Sequence, residues 1–130
     1  MIGLDTNVLV RFLTQDDPEQ SACANSLFAD LSEDRQGWVS LVTLAELHWL
    51  LTRTYQVARP EVIDILQGLL ETQEVLVEQP DVVRRALGRA VSGADFSDAL
   101  IAEGGFAAGC EHTVTFDRRA AAKAGMSLLS

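Results

Sequence analysis

At 130 residues, with 19 acidic against 10 basic side chains and a net charge of −9, the chain has the size of one domain and lacks the charge balance for capturing nucleic acid through a broad basic face. Hydrophobic residues make up 48% and charged residues 22%, and no apolar run approaches the ~18 to 20 residues of a membrane span, so no membrane partner is expected. The start, Met1-Ile2-Gly3-Leu4-Asp5, reads as a strand and carries no basic signal-peptide segment, which points to a cytoplasmic protein with a single domain over 1–130. Cys23 and Cys110 are far apart among alanines and read as buried thiols; His48 and His112 lack partners at zinc-ligand spacing and read as surface or satisfied polar residues.

In chain order, the strand Met1 to Leu4 ends in Asp5-Thr6-Asn7, residues suited to capping, and a helix is expected from about Val8 to Leu13. Pro18-Glu19 opens a second helix that runs to about Leu31. Gly37 to Ser40 is a second strand. Leu41 to Tyr55 has a helical pattern that is apolar nearly all round, as in a helix buried on several sides. Arg59-Pro60 starts an amphipathic helix with Val62, Ile63, Leu66, Leu69 and Leu70. Val75 to Val77 is a third strand, and Pro80 begins a helix closed by Ser92-Gly93. Phe96 to Ala108 is helical and ends at Gly109; it contains Gly104-Gly105, read as close packing or a slight kink, or as a less rigid support for Asp98. His112 to Phe116 is a fourth strand, Arg118 to Ala124 a short helix, and Met126 to Leu129 an edge strand. Strands alternating with helices and no hairpin signal give an α/β/α three-layer sandwich with a central, mainly parallel sheet of four to five strands.

Ligands of an open parallel sheet collect at the carboxyl ends of its strands. Asp5 and Asp117 stand at the ends of the first and fourth strands, Asp98 in the first turn of its helix, and Glu46 in the helix after the second strand; all four can reach one crevice. Each has a plainer reading. Asp5 and Asp117 suit helix caps, Asp95 and Asp98 suit a cap with an acidic first turn, and Glu46 suits a wet stripe shared with Thr43 and Arg53. Together they are costly, because two carboxylates about 4 Å apart repel by about 4 kcal/mol at an effective dielectric near 20. A cation relieves that repulsion, and a donor set made of oxygen alone selects Mg²⁺ or Mn²⁺.

Four segments, Ile2-Gly3-Leu4-Asp5-Thr6-Asn7-Val8-Leu9-Val10, Ser40 to Glu46, Asp95-Phe96-Ser97-Asp98-Ala99-Leu100-Ile101-Ala102 and Thr115-Phe116-Asp117-Arg118, resemble in this order the PIN-domain ribonucleases. The resemblance is closest to the VapC toxins of type II toxin–antitoxin systems and covers essentially the whole chain. It implies metal-dependent hydrolysis of RNA phosphodiester bonds to a 5′-phosphate and a 3′-hydroxyl. Asp5 and Asp98 are then the principal metal ligands, Asp117 a further ligand or the holder of a water, and Glu46 a carboxylate acting directly or through water. Thr6 and Asn7 position the Asp5 turn, Thr115 steadies the last loop, and Asp95 serves as a cap or a supporting acid. The resemblance also implies a homodimer and a VapB-like antitoxin whose basic tail covers the site, in keeping with the acidic balance. Other readings are a PIN ribonuclease of RNA maturation without an antitoxin, a noncatalytic acidic module that binds metal or a partner, and an aspartyl phosphatase, against which Asn7 stands where a second acid is needed.

Overall fold

The computed structural model describes residues 1–129. Strand β1 (Ile2–Gly3) is followed by helices α1 (Thr6–Thr14) and α2 (Pro18–Asp30), then β2 (Gly37–Val39). Helix α3 (Leu41–Trp49) continues into a π-helical turn over Leu50–Thr54, and α4 (Arg59–Glu71) leads to β3 (Val75–Val77). Helices α5 (Pro80–Val91) and α6 (Phe96–Ala107) precede β4 (Val114–Thr115), α7 (Arg118–Lys123) and β5 (Ser127–Leu128).

All pairings are parallel, as the absence of hairpin signals led one to expect. Among the described residues the five strands fall into two ladders where a single sheet was expected: β1-β2-β3 with β2 in the middle, and β4 beside β5. Strands β1, β4 and β5 are two residues long, shorter than their apolar runs, because only those backbone groups find a ladder partner. Parallel strands need long crossovers, and the helices supply them. Several helix starts have a local cause. Asp17 accepts from the backbone N–H of Gln20 with Pro18 next to it, and Ser40 accepts from that of Thr43.

The apolar side chains form one continuous core from Leu4 to Met126, in which Leu9, Leu44, Leu47, Leu51, Leu66 and Phe96 are fully enclosed. Helix α3 is less deeply buried than its composition suggested: Val42 and Trp49 are 70% and 53% exposed. Its continuation also departs from the expected single α-helix. The Thr52 hydroxyl donates to the carbonyls of His48 and Trp49, while the N–H of Tyr55 reaches the carbonyl of Leu50, so the ladder widens to a π turn. Both cysteines, expected inside, are exposed; Ser21 and Ala24 take the inward positions of α2, and Cys110 lies in the connection after α6. Among the described residues no helix is long and apolar enough to cross a membrane.

Candidate active site

Because β1, β2 and β3 are parallel, their carboxyl ends share one edge of the ladder, and there the chain places Asp5, Ser40 and Glu78. Glu78 spans two of these turns, its Oε1 accepting from the backbone N–H of Leu41 at 2.9 Å. Thr6, buried in the first turn of α1, donates its hydroxyl to Oε1 of Glu46 at 3.3 Å and so ties the β1 turn to α3. Helix α3 in turn meets α6 through Nδ1 of His48 and Oγ of Ser97, 3.1 Å apart. Asp98 is the next residue.

The capping alternatives divide cleanly. Asp5 occupies the cap position of α1 yet its side chain makes no cap hydrogen bond, which leaves an exposed carboxylate uncommitted to the helix. Asp117 does cap α7, its Oδ1 accepting from the N–H groups of Arg119 and Ala120 at 2.8 and 3.2 Å. Asp95 caps α6 by accepting from the N–H of Asp98 at 3.0 Å. Thr115 holds the Asp117 turn, accepting from its N–H at 3.0 Å. Asn7 is exposed and lines a cleft between α1 and α2 with Val8, Arg11 and Cys23, so only Thr6 of the pair braces the turn by a side-chain hydrogen bond.

Electrostatics link the rest. Burial raises the Asp98 carboxyl above its ordinary value of 3.8, and the charges of Asp95 and Asp117 raise it further. Asp98, Asp95 and Asp117 therefore form one crowded group. Glu46, on α3, is tied through the Thr6 hydroxyl to the turn that carries Asp5. Asp5, Glu46 and Asp117 are more exposed than their apolar flanks suggested, whereas Asp98 is half-buried. Among the described residues no three acidic, His or Cys side chains converge closely enough to hold an ion as they stand. The donors nevertheless fit a hard divalent cation, being carboxylate oxygens whose mutual repulsion is registered at Asp98.

A family model described as PIN domain matches residues 2–119. The chain belongs to the PIN-domain family. A search of curated proteins returned no match. PIN domains are generally nucleases and typically use divalent metals, which agrees with the crowding of Asp95, Asp98 and Asp117. The four segments that carried the resemblance all begin within the matched span.

Three contributors to this PIN domain were not visible in its sequence. Arg59 donates from Nη2 to the carbonyls of Ala94 and Gly93 at 2.7 and 3.4 Å, fixing the turn that presents Asp95. Ser97 and His48 join α6 to α3; burial lowers the His48 pKa below 6.5, while the nearby Asp95 charge acts in the opposite direction. Ser97 lies inside a recognisable motif, but nothing in the sequence marks Arg59, which reaches its target 35 residues along the chain.

Proposed function

We propose that this PIN domain is a metal-dependent endoribonuclease, the toxin of a VapBC-like type II pair, acting in the cytoplasm as a homodimer. The observation that carries the reading is the contrast between two carboxylates: Asp5 left free of its helix, and Asp98 raised by burial beside Asp95 and Asp117. Asp5 and Asp98 would hold Mg²⁺, or Mn²⁺ in its place. Such an ion, when bound, offsets the negative charge that grows on the phosphoryl oxygens.

The remaining groups orient the reactants. Glu46, steadied by Thr6, is a carboxylate that can accept a proton from water, and Asp117 keeps one oxygen engaged in its cap while the other stays available. Water adds to phosphorus as the bond to the 3′-oxygen breaks, leaving a 5′-phosphate and a 3′-hydroxyl. The net charge of −9 suits an antitoxin with a basic tail, whose Arg or Lys would compete with the cation for the same carboxylates.

Induction of the chain in a bacterial host tests the reading. Growth arrest is expected from the wild type and not from Asp5→Asn or Asp98→Asn; equal arrest by all three would refute the assigned site. A neighbouring reading frame for a DNA-binding domain with a basic tail, whose product relieves the arrest, separates the toxin from a ribonuclease of RNA maturation.

A further inference from the structure

Away from the acidic group, one carboxylate is divided between two arginines. Glu103, buried on α6, accepts at Oε2 from Nε of Arg85 (3.1 Å) and at Oε1 from Nε of Arg89 (2.7 Å), both on α5. Each guanidinium is thus held by its inner nitrogen. Among the described residues the terminal nitrogens of both have no hydrogen-bond partner. Arg89 is fixed further by Gly125: a Cβ there would lie 2.7 Å from Nη1 and 2.9 Å from Cζ and Nη2, and the glycine φ of +75° also disfavours a side chain. Two cations against one anion leave a positive excess, in a chain whose net charge is −9.

These forks border a cavity of about 270 Å³ lined also by Ala102, Phe106, His112 and Thr113. Phe106 is 70% exposed, an aromatic face left in solvent beside two free guanidinium forks. Two elements, α6 and β4, run from the cavity to the acidic group. Ala102 follows Asp98 by four residues on one face of α6, about 6 Å along its axis. Thr113 leads directly into β4 and so to Thr115 and Asp117. Guanidinium forks match phosphate oxygens, and exposed aromatics beside basic grooves stack bases with little regard to sequence.

We propose that this cavity binds a backbone phosphate of a single-stranded polynucleotide, with the adjoining base on Phe106, and leads the strand toward Asp98. The proposal rests on the nuclease reading for its substrate class, but the binding needs no metal. It also answers how an acidic chain holds RNA: the basic contact is local.

The test is fluorescence anisotropy of a short labelled single-stranded RNA in EDTA over a series of salt concentrations. The Arg85→Lys/Arg89→Lys double variant keeps the charge and the ion pairs with Glu103 but loses the forks, and is expected to bind about tenfold more weakly. Arg85→Ala is expected to bind more weakly and to reduce the salt slope by about 0.7. Arg84→Ala, on the same helix and paired with exposed Asp81, is the charge control and should change affinity less than about twofold. Unchanged affinity in the first two variants, equal loss in the control, or competition by polyglutamate as strong as by unlabelled RNA would overturn the site. Cleavage of RNA by the wild type with no effect of the arginine variants on binding would remove this site and leave the ribonuclease reading standing. Arginine-dependent binding without cleavage in Mg²⁺ or Mn²⁺ would do the reverse.

Discussion

The hydroxyl of Thr6 meets Oε1 of Glu46 at 3.3 Å, across 40 residues of sequence, and this contact joins the end of β1 to the helix that follows β2. It explains why a threonine is buried next to an uncommitted aspartate. Thr6→Val should leave the fold intact, release Glu46, and lower the rate of RNA cleavage with little change in RNA affinity; steady-state kinetics with a fluorogenic RNA check this.

Asp5 and Asp117 occupy equivalent places after their strands but behave differently when truncated. Asp117→Ala removes a cap that satisfies two N–H groups and should cost about 1 kcal/mol by urea denaturation. Asp5→Ala removes no cap bond and should cost far less, while both variants lose cleavage. Asp117→Asn separates the roles, since the amide oxygen still caps and the charge is gone.

The Asp98 carboxyl titrates above 3.8, so the folded chain binds a proton more readily there than the unfolded one. Below 3.8 this costs nothing; as pH rises through the folded value the ionised group weighs against folding. At neutral pH without metal, Asp98→Asn is therefore expected to melt at a higher temperature than the wild type. Added Mg²⁺ should raise the wild-type melting temperature, by about 2.7 kcal/mol of stabilisation at a hundredfold excess over Kd, and leave the variant nearly unmoved. Scanning calorimetry with and without the ion reads both effects.

Glu103 shifts the other way. Hydrogen bonding to Arg89, ahead of that to Arg85, holds its carboxyl below the ordinary 4.5, against burial, which acts to raise it. Its contribution is fully present above 4.5 and is lost as pH falls through the folded value. The stability gap between the wild type and Glu103→Gln should be constant at higher pH and close below 4.5, as seen in denaturation curves collected across the acid range.

The paired glycines of α6 should part company. Nothing lies within 4 Å of a Cβ added to Gly104, so Gly104→Ala should stabilise the helix by about 0.5 to 1 kcal/mol. A Cβ on Gly105 would stand 2.8 Å from Oγ1 of Thr113, so Gly105→Ala should lose that gain and recover it in a Thr113→Ala background. Chemical denaturation of the four variants decides the matter. Close packing, expected from the sequence for the pair, thus applies to Gly105 alone, and its partner is the segment before β4.

The sequence by itself determined the α/β alternation, the parallel pairing and the four acids at strand ends and helix starts, because apolar period, Pro and Gly punctuation and capping residues all act within a few positions. β3 could be placed to the residue from Val75 to Val77 for that reason. Only the tertiary structure decided which acids are caps and which are free, since Asp5 and Asp117 share the same local signature and differ in whether backbone N–H groups fall within reach of the carboxylate. It alone separated the strands into two ladders and turned the end of α3 into a π turn. The long-range partners Thr6 and Glu46, Arg59 and Ala94, and Glu103 with its two arginines likewise depend on side chains brought together by the packing of helices, which no local pattern encodes.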